Sequence, residues 1–303
     1  MPLFAPKTTQ LYMRFFFLMF LYAPLLRAQS PADDTTSYPR KTAFPTDHLF
    51  APILLDPLQS QTYGAVLPVY TTDGSRYPGS VVPFAFGTQK PFLRKERFSG
   101  RAGVVRAREW ALDVASFTQF EVYYDVTLKK QKRQLINTDY RVGISYNVRR
   151  GAGTWRFRLY HISSHLGDDY IIRNQIPYYL PNSVNYELID ATYSRLFTNG
   201  LRVYGGAGIV PRDPDERKPI SGQLGFFYRN PTQRAVRFIG GVDVKVWQQT
   251  NFQPGIKAGA GFELGRGNPF TLIIEGYSGF RPYSLYEYQT VNWLGLGLYL
   301  NPF

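Results

Sequence analysis

Residues 155–170, WRFRLYHISSHLGDDY, alternate with a period of two. One face carries Trp155, Phe157, Leu159, His161, Ser163 and His165; the other carries Arg156, Arg158, Tyr160, Ile162 and Ser164. That period predicts a strand whose two sides meet different surroundings. In a soluble sheet the aromatic side would turn to the core. Here it is expected to face lipid, with His161 and Ser163 at its upper end.

The pattern repeats from about Gly79 onward: some ten alternating residues, then a turn signal. Tyr140, Val142, Ile144, Tyr146 and Val148 alternate with polar or small residues. Ile256, Ala258, Ala260 and Phe262 alternate with Lys257, Gly259, Gly261 and Glu263, and Arg237, Asp243 and Lys245 share one side of another segment. Charged residues on the non-apolar side imply a polar interior. No amphipathic helix is evident to cover the apolar side. The expected fold class is all-β: an antiparallel transmembrane β-barrel of about 12 strands, whose closure removes sheet edges while lipid covers the outside.

Link lengths alternate too. Short links are expected near Ala115–Ser116, Arg150–Gly153, Thr198–Asn199, Asn230–Gln233 and Gly265–Asn268. Longer ones are Gly87–Gly100, Lys129–Ile136, Gly167–Ser183, Pro211–Lys218 and Arg281–Gln289, with a short exception at Gln248–Asn251. Short periplasmic turns and longer outer loops characterise outer-membrane barrels. The last strand, from about Val291, ends in Phe303, like the segment read by outer-membrane assembly machinery. A secreted β-sandwich satisfies the alternation alone; the terminal Phe and the link lengths favour the barrel.

Phe15–Leu26 is a short apolar run preceded by Arg14 and followed by Arg27-Ala28. It has the form of a signal peptide and falls short of the roughly 20 residues a membrane helix needs. Three segments are expected: a signal peptide at 1–28, an extended periplasmic segment at 29–78, and the barrel at 79–303. Gln61–Thr71 reads as one strand without a clear place. The expected location is the bacterial outer membrane.

Composition sharpens this picture. Tyr and Phe number 23 each and Gly 27, which suits interfacial strands and tight turns. Cys is absent, which excludes disulfides, thiolate metal sites and a cysteine nucleophile. The net charge is +13, of which Lys7, Arg14 and Arg27 belong to the leader. A basic balance fits nucleic acid, anionic lipid or mere solubility; export and the lack of a nucleic-acid module argue against the first.

Two of the three histidines lie in the opening segment. His161 and Ser163, two apart on a strand, share a face at a separation of about 7 Å. A His base beside a Ser nucleophile is the minimum for acyl transfer. Asn137 and Asp139 begin the preceding strand and Glu187 the following one, all near the same rim. The alternation gives Asp139 and Glu187 lumen parity, so the group that would orient His161 is unassigned. His165, Asp168 and Asp169 are candidate supports. The same residues also fit an interfacial girdle in which Ser163 is filler. No metal ligands are assigned, because His161 and His165 would stand about 13 Å apart on a strand. Asp168-Asp169 reads as a solvated turn ahead of a Ca²⁺ pair. Lys129, Lys130, Lys132 and Arg133 in an outer loop could meet lipopolysaccharide phosphates, or be a solvated basic loop.

His161-Ile162-Ser163 is similar to the H-x-S element of outer-membrane phospholipase A and of the lipid A deacylase, both barrels with lipid-facing sites. Ser164 stands where those families carry Asn, which leaves the oxyanion donor unassigned. Leu54-Leu55-Asp56-Pro57, the run Leu135 to Gly143 and the run Tyr160 to Asp169 resemble the landmarks of domain of unknown function 1207. That resemblance implies an outer-membrane barrel without an established activity.

The functional expectation is hydrolysis of a lipid acyl ester, with Ser163 as nucleophile and His161 as base. The rival is a non-enzymatic barrel: a scaffold, or a narrow channel in which Arg141, Arg156, Arg158 and Arg237 favour anions. A third reading gives Gln29–Leu58 an assembly or adhesion role. Expected partners are membrane lipids, lipopolysaccharide and the assembly machinery, with the chain a monomer or weak dimer.

Overall fold

The computed structural model describes residues 39–99, 103–176, 184–213, 215–266, 269–283 and 285–300. The expected signal peptide and Phe303 lie outside them.

Among the described residues, fourteen strands form one antiparallel sheet. The N-terminal ones are β1 (Pro39–Ala43), β2 (Thr62–Thr72), β3 (Ser75–Arg76) and β4 (Ser80–Ser99). Next come β5 (Gly103–Asp125), β6 (Lys130–Arg150), β7 (Gly153–Leu166), the short helix α1 (Asp168–Arg173) and β8 (Asn185–Leu196). The wall continues through β9 (Leu201–Ile209), β10 (Ile220–Arg229), β11 (Val236–Trp247), β12 (Gly255–Leu264), β13 (Phe270–Phe280) and β14 (Thr290–Leu300). From β4 to β14 each strand pairs with the next. β14 pairs with β2, and β2 with β4 through Tyr63↔Ala85, Gly64↔Phe84 and Leu67↔Val81, so a barrel of 12 strands closes. β1 adds to β4, and β3 folds back on β2.

The alternation sorts side chains as the barrel requires. Trp155, Phe157 and Leu159 are 44%, 42% and 48% exposed, while Arg156 between them is fully buried. On β14, Leu294, Leu296, Leu298 and Leu300 point out, and Trp293 and Tyr299 point in. Apolar surface left in water costs about 25 cal/mol per Å², so an apolar belt on a closed wall belongs in hydrocarbon. Among the described residues no helix is long and apolar enough to cross a membrane; the strands do so. The protein is an outer-membrane barrel. The end where β14 stops, with the tight β6–β7 link, is periplasmic, and the end carrying α1 is outer.

A plug occupies much of the lumen and leaves a cavity toward the periplasmic end, between Pro52 and Leu54 of the plug and Arg202, Arg237, Thr271 and Tyr299 of the wall. Residues 44–61 enter the lumen ahead of β2, burying Phe50, Ile53, Leu55 and Leu58. Asp56 meets Lys245 of β11 at 2.6 Å. Arg202 of β9 donates to the carbonyls of Ala51 and Pro52 at 2.7 and 2.8 Å. Arg156 stacks on Phe50, with its guanidinium carbon 4.4 Å from the ring centre. The other arginines expected to line a channel are paired: Arg141 with Asp113 at 2.7 Å, Arg158 with Asp190 at 2.6 Å, and Arg237 with Glu263. Over the outer mouth, Arg217 grips Glu287 at 2.8 Å and joins two loops.

Three boundaries differ from the sequence reading. The barrel begins at Thr62, ahead of the expected position 79, because β2 closes the wall. The segment expected to be periplasmic plugs the lumen from 44 to 61. Strands β4, β5 and β6 run unbroken for 20, 23 and 21 residues, through the expected links at Ala115–Ser116 and Gly87–Gly100 and through most of Lys129–Ile136. They outrun the bilayer, so polar residues on both faces of their ends imitate loops. The expected count of about 12 holds because a false cut at Ala115 offsets the strand at Gln61–Thr71, which the sequence reading leaves outside the barrel.

Candidate active site on the outer wall

β7 carries His161 and Ser163 on its outward face, continuing the line of Trp155, Phe157 and Leu159. They stand about 20 and about 26 Å along the strand above Trp155, near the outer rim. The inward neighbours Tyr160 and Ile162 are buried, which fixes the phase of the strand.

The cross-strand register sets what surrounds them. His161 pairs with Glu187 of β8, and Ser163 lies between Tyr140 of β6 and Asn185 of β8. Directly opposed residues share a face. Glu187 Oε1 lies 2.9 Å from His161 Nδ1. Arg212, from the β9–β10 loop, reaches Glu187 Oε2 at 3.3 Å and so holds the carboxylate from its other side. With Nδ1 engaged, Nε2 is the ring nitrogen open to a substrate or a hydroxyl. Among the described residues Ser163 Oγ has no hydrogen-bonded partner, and the imidazole and hydroxyl are not in direct contact.

This corrects the lumen parity expected for Glu187. Its neighbours Tyr186 and Leu188 are 3% and 2% exposed and point inward, so Glu187 faces outward with Ile189. Beside β8 the inner face of the wall is apolar here, packed with Tyr160, Ile162, Tyr186, Leu188, Val210 and Tyr283. Where both sides of a wall are apolar, the polar residue of a pair no longer marks the inside.

Asp139 does have lumen parity and is buried with Asn137. Asn137 Nδ2 donates to Asp139 Oδ1 at 3.1 Å, and Ser164 Oγ donates to the same carboxylate. These groups form a cluster inside the wall, separated from His161 by the strand itself. His165 is exposed, its ring 5.8 Å from that of Tyr140. Asp168 and Asp169 sit exposed in the first turn of α1. Among the described residues no three His, Cys, Asp or Glu side chains gather to hold an ion. Lys129, Lys130, Lys132 and Arg133 cluster at the β5–β6 turn, at the outer end, with Lys132 3.7 Å from Asp125.

Asn185 was not singled out from the sequence. It is exposed on the outward face, directly across from Ser163, and presents a side-chain amide there. Its signal was its position two residues before Glu187, usable only once the register was known.

The chain matches the model of one family, protein of unknown function (DUF1207), over residues 25–301. No curated protein matches it. Among solved structures it is similar to the dimer of Salmonella typhi outer membrane phospholipase (OMPLA) with bound calcium, at 13% identity and TM-score 0.49, over 80% of this chain and 90% of that one. Outer membrane phospholipase A from Escherichia coli matches at 12% identity and TM-score 0.47, over 84% of this chain and 95% of that one. The β domain of the Bordetella autotransporter Brka matches at 11% identity and TM-score 0.31, over 80% and 99%. Likenesses of this strength carry no argument about activity.

Proposed function

The chain belongs to the family of proteins of unknown function DUF1207, and for this outer-membrane barrel we propose hydrolysis of an acyl ester in a membrane lipid, either lipid A or a phospholipid. Ser163 Oγ attacks the ester carbonyl as His161 Nε2 takes its proton. The imidazolium then protonates the departing alcohol oxygen, leaving an acyl group on Ser163. Water, deprotonated by His161, releases the fatty acid. Glu187 holds Nδ1 and stabilises the imidazolium. Asn185 donates its amide to the oxyanion. A site on the lipid face meets the ester near the head-group boundary without extracting it.

One observation carries the reading: the 2.9 Å contact between Glu187 Oε1 and His161 Nδ1, on the lipid-facing wall beside Ser163. A girdle residue needs no oriented carboxylate. Arg212 reinforces the same carboxylate. The channel reading is weakened by the plug and by the pairing of Arg141, Arg158 and Arg237.

The test compares lipid profiles of membranes carrying wild type and Ser163→Ala. Loss of a deacylated product in the variant, with both proteins inserted, is expected. Identical profiles would end the hydrolase reading.

A further inference from the structure

Strands β4 and β5 run on beyond the row in which β6 turns into β7, and β1 pairs along the edge of β4 there. The outward face of this apron is basic. Arg97 pairs with Arg106, Arg106 with Arg150, Arg150 with Gly153 and Gly153 with Arg195. Four arginines thus form one transverse row across five strands. The next row toward the membrane runs Lys41, Lys95, Arg108, Val148 and Trp155. The row above that is Leu93, Trp110, Tyr146 and Phe157.

Every cation in these rows is exposed. Among the described residues none of them is in an ion pair; Arg195 lies over the Phe197 ring at 5.3 Å. The acids nearest these rows, Glu96 and Glu109, have the opposite parity, and Glu109 is spent on Arg94 of the inner face. Like charges placed directly opposite destabilise a sheet. Lys41↔Lys95, Lys95↔Arg108, Arg97↔Arg106 and Arg106↔Arg150 are four such pairs. A supply of anions along this face would relieve all four.

The location selects the anion. The rows share the face of Trp110, Tyr146 and Trp155, and aromatic side chains of this kind mark the membrane–water boundary. Arg108 and Arg106 are two and four residues from Trp110, so their charges lie about 7 and about 13 Å further along the strand. That is head-group depth in the periplasmic leaflet. We propose that this apron is a docking surface for anionic phospholipid head groups, with the guanidinium row meeting their phosphates. Arg suits that task because its planar fork binds phosphate oxygens two at a time. The apron would fix the depth of the barrel and gather anionic lipid beside β4–β8. The proposal is independent of the hydrolase reading, since it uses the other end of the wall.

The experiment measures boundary-lipid selectivity by spin-labelled phosphatidylglycerol and phosphatidylcholine around the full chain in phosphatidylcholine bilayers. A several-fold preference for phosphatidylglycerol is expected at low salt, declining as salt screens the row. R97Q/R106Q/R150Q/R195Q should abolish it, and K129Q/K130Q/K132Q at the outer turn should leave it intact. Heat-modifiable migration verifies that each barrel is folded. If the fourfold variant does not fold, R106Q and R150Q singly should each reduce the preference. Equal occupancy by the two lipids in wild type overturns the proposal, as does a preference indifferent to salt or retained in the folded variants. Selective binding of soluble polyglutamate without any phosphatidylglycerol preference also overturns it and reassigns the face to an acidic protein.

Discussion

Glu187 Oε1 and His161 Nδ1 lie 2.9 Å apart across the β7–β8 pair, on the wall that meets lipid. The carboxylate fixes the ring and selects the tautomer with its free lone pair on Nε2. Glu187→Gln keeps the shape and removes the charge. In the full chain in detergent, kcat toward a thioester phospholipid should fall by roughly 10²–10⁴-fold with KM nearly constant. Unchanged kcat would remove Glu187 from the machinery.

Two adjacent serines separate the proposed chemistry from packing. Ser163 faces lipid, while Ser164 donates to buried Asp139. Ser163→Ala should abolish turnover without changing the melting temperature. Ser164→Ala should do the reverse, costing about 1–3 kcal/mol because a buried carboxylate loses a donor. The reverse pattern would mean that the catalytic hydroxyl has been misassigned.

Asn185 faces the same hydroxyl across the strand pair. If its amide serves the oxyanion, Asn185→Ala should lower kcat by roughly 10²–10³-fold and leave lipid binding unchanged. Single-turnover kinetics distinguish this from slowed product release.

The plug is held by Asp56 on Lys245 at 2.6 Å. Burial alone would lift the Asp56 carboxyl, but Lys245 and Arg158 outweigh it and hold it at about 2, below the ordinary 3.8. A folded pKa below the unfolded one contributes stability above the unfolded value and loses it as pH falls through the folded value. The contribution of Asp56 should therefore be complete above about pH 4 and vanish toward about pH 2. Asp56→Asn should cost about 3–5 kcal/mol near neutrality by stranding a buried ammonium, and should flatten that acid limb in pH-dependent thermal melts.

With residues 44–61 in the lumen, wild type should be silent in planar bilayers. Deleting residues 39–58 leaves every strand of the closed wall in place. That chain should conduct and favour anions, because Arg202 loses its carbonyl partners and Arg156 the Phe50 ring, and neither is in an ion pair among the described residues. A conducting wild type would restore the channel reading.

Gly143 faces the lumen opposite Tyr160, where an added Cβ would stand 2.5 Å from the Tyr160 Cβ. The Tyr160 ring lies between the guanidinium groups of Arg141 and Arg158, at 4.9 and 5.3 Å. Gly143→Val should destabilise the barrel by about 1–3 kcal/mol through overpacking, read as a lower temperature of heat modification.

The terminal Phe and the link lengths favoured a barrel over a sandwich; alternation by itself determined the apolar side of β7 and the shared face of His161 and Ser163. The last two follow from the two-residue period of a strand and the contrast between Arg156 and Trp155. The partner of His161 did not follow. Parity on β8 is legible only if inside and outside differ in polarity, and Tyr186 and Leu188 make the inner face of β8 as apolar as the outer wall. The register decided it, by setting Glu187 opposite His161. The plug was equally hidden: Leu49, Phe50 and Ile53 lack strand periodicity, and their burial depends on a cavity built from chain far downstream. The arginine row is the third case. Arg97, Arg106, Arg150 and Arg195 are scattered along the sequence, and only antiparallel pairing brings them into line.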